Sequence, residues 1–238
     1  TLLSDGAIGR LHLMAWRVVI RLVPRAGSFT STPWRQRPEY RGGVHLDAGV
    51  HHIAQIRMLC GDVARVHGAV QRANTTVDST SDLTLNLEFA DGAIGAYTAC
   101  YPELAVPPEP NDMRLYGTDG VLILAGTPRE RRLTLSRSDG TVQTHTFAGI
   151  DNGYHGELLN FHDAVVHGEP VVATIEQSYR NMLVILRGID SAEQGTVSSG
   201  SDVRNEPPGV PLWRPRGASG LFDGLPGQRT STTDCRDD

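Results

Sequence analysis

Residues 82–101, DLTLNLEFADGAIGAYTACY, decide the fold class of this chain. Polar and apolar residues alternate from 82 to 89, which is the period of a strand with one buried face. Asp91-Gly92 follows, and 93–101 continues as a second strand. Asp-Gly between two such runs is a strong hairpin signal, because a type I′ turn needs positive φ at both central residues. This stretch therefore predicts an antiparallel β-hairpin.

The same alternation recurs along most of the chain. Two further Asp-Gly pairs, at 119–120 and 139–140, each separate two alternating runs. Repeated hairpins of this kind build a meandering sheet and not a series of βαβ units. Besides the first hairpin, strands are predicted at 11–22, 63–73, 113–116, 121–124, 132–136 and 141–147.

Three segments with helical periodicity accompany the strands. Residues 47–60 and 155–167 each end before a glycine, which commonly terminates a helix, and the third segment spans 175–192. The residues predicted to face the sheet are Ile53, Ile56 and Leu59, then Leu158, Phe161 and Val165, then Tyr179, Met182, Leu183, Leu186 and Ile189. The predicted fold class is α+β, an open and mostly antiparallel β-sheet with helices packed on one face.

Composition excludes several classes of partner. The formal net charge is −5, so there is no electrostatic reason to expect nucleic acid or an anionic membrane. No apolar run reaches the roughly 18 residues of a membrane span, and we expect no signal peptide. The three cysteines, Cys60, Cys100 and Cys235, form no Cys-x-x-Cys pair, which favours a reducing compartment over a disulfide framework. We therefore expect a cytoplasmic protein.

All 22 basic residues are arginine, so no lysine is available for chemistry within this sequence. That excludes a lysine Schiff base, a P-loop lysine and a lysine general acid. Gly6-Ala7-Ile8-Gly9 precedes a predicted strand instead of following one. It therefore does not fit the glycine turn of a dinucleotide-binding βαβ unit.

The composition of the chain changes after Val197. Residues 198–238 are rich in glycine, proline, serine and charge and have no sustained periodicity, which is typical of disorder. We therefore expect a folded domain at 1–197 and a disordered tail at 198–238.

The most concentrated set of reactive side chains lies in 42–61, GGVHLDAGVHHIAQIRMLCG. Asp47 and His51 are four residues apart on a predicted helix, so their side chains leave the same face and can meet one substrate group. A plainer alternative is an N-terminal helix cap beside a surface histidine. A third is a zinc site of a metal-dependent hydrolase, with ligands drawn from His45, Asp47, His51 and His52.

Several segments in a fixed order resemble a known family. They are GAIGRLHLMAWRV, WRQRPEYRGGVHLDAGVHHIAQIRMLCGDVARV, YGTDGVL, YHGELLNFHDAVVHGEP and SAEQGTV. Together they resemble the C-terminal domain of the glucose–fructose oxidoreductase and inositol dehydrogenase family, Gfo/Idh/MocA. The resemblance covers about residues 2–197, and its most specific part is the Gly-Gly-x3-Asp-x-Gly-x-His run with Trp-Arg-x2-Pro before it.

The resemblance implies an activity and its partners. Members of this family oxidise a hydroxyl of a sugar or polyol, such as inositol, by hydride transfer to NAD or NADP. Their N-terminal Rossmann domain binds the cofactor, and their C-terminal α+β domain supplies substrate contacts and much of the oligomer interface. We therefore expect a truncated member that lacks the Rossmann domain, acts on a small sugar or polyol, and forms a homo-oligomer through the open sheet.

The resemblance also implies roles for individual residues. His51 would be the general base and Asp47 its partner in holding the substrate, which suits a histidine oriented by a carboxylate. Trp34 and Arg35 would edge the nicotinamide; the alternative for them is a half-buried aromatic ring with an arginine stacked on it. The side chains expected to reach the substrate are Arg35, His52, Tyr154 and His155. No metal ligand is expected.

Two departures from the family pattern keep other functions open. The family commonly has an acidic residue three positions after the histidine, where this chain has Ala54. The usual catalytic lysine lies in a Glu-Lys-Pro motif of the Rossmann domain, and this chain contains no lysine. The alternatives are a non-catalytic oligomerisation or binding module and, less favoured, the metal-dependent hydrolase.

Overall fold

A computed structural model of the chain describes residues 2–105, 111–127, 130–148 and 153–197. The strands are β1 (Leu11–Val19), β2 (Val63–Gln71), β3 (Asp82–Phe89), β4 (Ile94–Cys100), β5 (Met113–Gly117), β6 (Gly120–Thr127), β7 (Glu130–Arg137) and β8 (Val142–Ala148). The helices are α1 (Pro33–Gln36), α2 (Gly43–Cys60), α3 (Tyr154–His167) and α4 (Ile175–Gln194), with a 3-10 turn at Phe29–Ser31. The predicted tail at 198–238 lies outside the described residues, and the boundary at 197 stays a prediction.

One eight-stranded sheet forms the centre of the molecule, in the order β2-β3-β4-β1-β5-β6-β7-β8. All neighbouring strands are antiparallel except β1 and β4, which are parallel. The predicted α+β class with an open, mostly antiparallel sheet is confirmed. The position of β1 is the feature that periodicity does not show: the first strand lies between β4 and β5 and joins two meanders into one sheet.

All three predicted hairpins form, but their turns are not type I′. Gly92 has φ +90°, whereas no residue other than glycine has positive φ in the described parts of the chain. The Gly92 amide donates to the Phe89 carbonyl at 3.0 Å, and the Phe89 amide donates to the Ala93 carbonyl at 2.8 Å. This is a type I turn followed by a glycine bulge, which needs positive φ only at the glycine. Gly140 closes the β7–β8 hairpin in the same way.

The core lies between the β2–β3–β4–β1 half of the sheet and two helices, α2 and α4. Helix α2 contributes Ile53 and Ile56, which are fully buried, and α4 contributes Val184 and Ile185. The stripe of α4 that faces inward includes the buried polar residues Arg180, Asn181 and Ser191. Of the α4 residues predicted to face the sheet, only Ile189 is in the buried set, so the inward face is rotated relative to the predicted one.

Two glycines let α4 lie directly on β2. A Cβ at Gly68 of β2 would lie 2.0 Å from the carbonyl oxygen of Gly188 in α4. The Gly68 amide also donates to the Ser191 hydroxyl at 3.1 Å. Helix and strand therefore meet backbone to backbone, a distance that only glycine allows.

Helix α3 has the predicted extent but not the predicted packing. None of its side chains is buried, and Leu158, Phe161 and Val165 are 67%, 66% and 69% exposed. Strand β8, at the far edge of the sheet, is exposed along its whole length. Among the described helices, none is long and apolar enough to span a membrane.

Candidate active site

Helix α2 carries the predicted pair and begins one turn earlier than its apolar pattern suggests. Gly42 and Gly43 have φ +91° and +48°, and a Cβ on Gly43 would lie 2.4 Å from the Cβ of Ser79. Glycine is therefore required where the chain turns into the helix. Because the helix begins at Gly43, Asp47 lies in its second turn. The alternative that Asp47 caps the helix is wrong.

The carboxylate of Asp47 is held by Arg35. Arg35 Nε donates to Asp47 Oδ2 at 2.8 Å, and Nη2 lies 3.4 Å from Oδ1, so the pair is bidentate. The two side chains are 26% and 27% exposed, so the pair lies at the surface of the domain but is partly shielded. A bidentate pair fixes the direction of the carboxylate as well as its position.

Aromatic rings and a hydroxyl hold the guanidinium of Arg35 in turn. Its Cζ lies 3.8 Å from the ring centroid of Trp34 and 5.2 Å from that of Phe29. Its Nη1 lies 3.3 Å from the Thr32 hydroxyl. The arginine therefore stacks on Trp34 as the alternative describes, but the ring is 44% exposed instead of half-buried, and the same arrangement positions Asp47. Sequence reasoning missed Phe29 and Thr32, which precede the Trp-Arg element by a few residues.

His51 lies one helical turn after Asp47 and is exposed. In the described part of the chain, no hydrogen bond joins it to Asp47, whose carboxylate is bound to Arg35 instead. The structure thus keeps both side chains on one face of α2, with the imidazole free to meet a ligand. The roles assigned to Asp47 and His51 stay predictions.

His52 points into the domain instead of toward His51. Its Nδ1 lies 2.7 Å from the Tyr97 hydroxyl, and its ring packs edge-on against Trp16 at 4.9 Å between centroids. Burial, and to a lesser extent the neighbouring His51, lower the pKa of His52 to about 4, so the ring is neutral at pH 7. The structure therefore places His52 between α2 and the sheet.

His45 is fully buried in the first turn of α2. Its ring lies 5.5 Å from that of Tyr101, and burial lowers its pKa to about 4 against a partly opposing effect of Asp82. With His45 and His52 turned inward, His51 exposed and Asp47 bound to Arg35, the predicted metal ligands do not converge on one point. The metal-dependent hydrolase alternative has no support in this geometry.

Tyr154 and His155 lie at the beginning of α3, and both are exposed. They stand on a different element from the Arg35–Asp47 pair, and their predicted contact with a substrate stays a prediction.

A cavity of about 600 Å³ borders the site. It is lined by Pro33, Trp34, Gln36, Arg37, Glu39 and Tyr40. Trp34, on which the Arg35 guanidinium stacks at 3.8 Å, is part of this lining, so the cavity lies beside the Arg35–Asp47 pair. Burial, and then the charge of Asp47, raise the pKa of Tyr40 against an opposing effect of Arg35. The Trp34 and Tyr40 rings are 6.1 Å apart, and flat rings among polar side chains suit a ligand with apolar faces and hydroxyl edges. Sequence reasoning missed Tyr40, although it lies just before the glycines of the main motif.

Comparisons with known proteins agree with this fold. Residues 1–123 match the family model described as the GFO/IDH/MocA C-terminal domain. Among curated proteins, an uncharacterised protein of Saccharomyces cerevisiae, YMR315W, is 26% identical over 147 residues, which is 58% of this chain and 41% of the yeast protein.

Two solved structures have the same fold. An oxidoreductase from Thermotoga maritima superposes with a TM-score of 0.69 at 22% identity, over 85% of this chain and 57% of that chain. Levoglucosan dehydrogenase in complex with NADH and levoglucosan superposes with a TM-score of 0.70 at 19% identity, over 84% of this chain and 61% of that chain. The chain spans less than two thirds of the length of each of these three proteins. Since the family model covers more than half of the sequence, this chain belongs to the GFO/IDH/MocA family and carries its C-terminal domain.

Proposed function

We propose that this chain is the substrate-side domain of an NAD(P)-dependent oxidoreductase that oxidises a hydroxyl group of a sugar or polyol. The observation that carries the proposal is the α2 face on which Arg35 fixes Asp47 one turn before the exposed His51. This face borders the cavity that contains Trp34 and Tyr40. Levoglucosan dehydrogenase, whose fold this chain shares, forms a complex with NADH and levoglucosan.

The residues of this domain divide the work of alcohol oxidation. The carbinol carbon loses a hydride and its hydroxyl loses a proton, which leaves a carbonyl. His51 accepts the proton, because it is exposed and an imidazole is the most common general base in proteins. Asp47 accepts a hydrogen bond from a neighbouring substrate hydroxyl, and Arg35 keeps the carboxylate turned toward it. The ring of Trp34 packs against the apolar face of the sugar.

The nicotinamide cofactor, when bound, supplies the hydride acceptor. In this chain, Trp34 and Arg35 are the residues that would lie beside the nicotinamide ring, since the Arg35 guanidinium stacks on an indole ring that lines the cavity. The pyrophosphate of the cofactor, unlike the nicotinamide ring, has no matching site among the described residues. Within the described ranges, the glycine turn with the nearest spacing, Gly6 to Gly9, lies before β1 and opens no helix. We infer that a nucleotide-binding domain of the family's type supplies that half of the site.

The test is a general-base substitution in an active enzyme. The chain is joined to a matching nucleotide-binding domain of the family and assayed for oxidation of a panel of sugars and polyols. His51→Ala should lower kcat on the order of 10²–10⁴-fold, as expected for loss of a general base. The matched control is His12→Ala, which replaces an exposed histidine on β1. Equal rates for both variants would refute the role of His51.

A second candidate function, a sheet-mediated oligomerisation module, has its own supporting observation. Apolar side chains of the sheet are exposed, including Val142 at 62% and Phe147 at 49% on the edge strand β8 and Ile94 at 53% on the interior strand β4. Exposed apolar surface of this kind favours association. We propose that copies of this domain associate through the open sheet, a role that is compatible with catalysis.

A further inference from the structure

The last turns of α3 bring together three side chains that neither the fold nor the proposed reaction requires. They are His162, Asp163 and His167, and one ligand-capable atom of each lies within 4.8 Å of the others. His162 Nδ1 lies 3.0 Å from Asp163 Oδ1. The two imidazole rings are 5.7 Å apart between centroids and tilted by 73°.

This set of donors has the chemistry of a zinc site. Two imidazole nitrogens and one carboxylate oxygen are common protein ligands of Zn²⁺, with water in the fourth position. Ligand atoms around a tetrahedral zinc ion are about 3.3 Å apart for bonds near 2.0–2.1 Å. The three side chains therefore need to close by about 1.5 Å at most from the present 4.8 Å. Rotation about exposed side-chain bonds allows this, since α3 buries none of its side chains.

The end of the helix favours a cation at the same place. Helix α3 ends at His167, and Gly168 caps it with φ +69°. The carbonyl end of a helix carries partial negative charge, which attracts a cation within the last turn. The carbonyl oxygen of Asp163 accepts from the amides of Gly168 and Glu169, so the backbone of this turn is already ordered.

We propose that His162, Asp163 and His167 bind a divalent transition-metal ion, Zn²⁺ being the best match, at the C-terminal end of α3. The ion joins side chains at positions 162, 163 and 167 and so stabilises the last turns of the helix. The site is separate from the α2 face and does not depend on the proposed oxidoreductase activity.

The test is a metal titration of the whole chain, purified without a polyhistidine tag and kept reduced. Isothermal titration calorimetry measures Zn²⁺, and the visible absorption of Co²⁺ reports tetrahedral nitrogen and oxygen ligands. We expect one equivalent of metal to bind. His167→Ala and Asp163→Asn should each weaken binding by roughly 10–100-fold or more, because losing even an outer-shell partner costs that much. His145→Ala, which removes an exposed histidine on β8, should bind as tightly as the unaltered chain.

Two results would overturn the proposal. One is the absence of a saturable one-equivalent transition for both ions. The other is binding that is equally tight in His167→Ala, Asp163→Asn and His145→Ala, which would place the metal elsewhere, for example on a cysteine. Circular dichroism of each variant shows that the helix persists, as expected for substitutions on a helix with no buried side chains. In that case a change in affinity reports the ligands and not the fold.

Discussion

Replacing Gly68 with alanine should strongly destabilise the domain. The added Cβ would lie 2.0 Å from the Gly188 carbonyl oxygen, 2.6 Å from its carbon and 3.0 Å from its Cα. All three atoms belong to the α4 backbone, so no side chain can rotate out of the way. Helix α4 would have to retreat from β2 by at least about 1 Å to restore an ordinary carbon–oxygen contact.

The loss in the free energy of unfolding follows from the packing and the hydrogen bond that this displacement of α4 disturbs. Overpacking a core typically costs about 1–3 kcal/mol, and a backbone obstacle places this case at the upper end. The buried bond from the Gly68 amide to Ser191 Oγ would also lengthen from 3.1 Å, which adds about 1 kcal/mol. We therefore expect the free energy of unfolding to fall by about 3–4 kcal/mol, or more than 100-fold in the unfolding equilibrium constant.

Urea unfolding followed by circular dichroism measures the effect. Gly156→Ala is the matched control, because a Cβ there meets no heavy atom within 4 Å and the residue lies inside α3. That variant should be more stable by about 0.5–1 kcal/mol, since alanine favours helix over glycine. An unfolding midpoint for Gly68→Ala equal to that of the unaltered chain would refute the backbone-to-backbone crossing of α4 and β2.

Two further predictions concern pH and association. Burial lowers the pKa of His45 from 6.5 to about 4, so the unfolded chain binds a proton that the folded chain excludes. This group should therefore add up to about 3 kcal/mol to the free energy of unfolding as the pH rises from 4 to 6.5. Because the pKa of His52 is also lowered to about 4, His45→Gln should reduce, and not abolish, the rise in urea midpoints measured across pH, and an unchanged slope would contradict the prediction. Sedimentation at micromolar concentration should show an oligomer that Phe147→Glu dissociates, because a charge on β8 opposes burial of the open sheet. A monomer before substitution would contradict the association.

The candidate site was predictable only in part. Asp47, His51, Trp34 and Arg35 stand out in the sequence because a spaced motif and a family resemblance mark them. The contacts of these residues do not stand out in the sequence. Asp47 forms a bidentate pair with Arg35, 12 positions earlier, and among the described residues His51 is not its hydrogen-bond partner. Four-residue spacing shows that two side chains share a helix face, but a nearby guanidinium can bind the carboxylate more strongly than an imidazole does.

For the histidines too, the sequence identifies the residues but only the structure shows their contacts. His45 and His52 look like candidate ligands in the sequence, yet both turn toward the sheet, against Tyr101 and Tyr97 respectively. A histidine is chemically versatile, so its type alone does not indicate whether it lies in a core or at a site. Tyr97 lies on β4 and Tyr101 directly follows it, about 45 to 56 residues later in the chain, and only folding brings them to the histidines.

Local pattern determined the strands, the three long helices and the three hairpins, but not the short helix α1. Alternation marks a strand wherever it occurs, and a glycine after aspartate supplies the positive φ that the turn needs, as at Gly92 and Gly140. These features depend on residues only a few positions apart, so they can be read from the sequence before any contact between distant segments is known.

Long-range packing decided the rest. The position of β1 between β4 and β5, the polar inward stripe of α4 and the exposure of α3 all depend on contacts between segments far apart in the chain. Periodicity shows which face of a helix or strand can be buried, but not which surface is available to bury it. For α3 the described residues supply no such surface, and its apolar stripe therefore remains exposed.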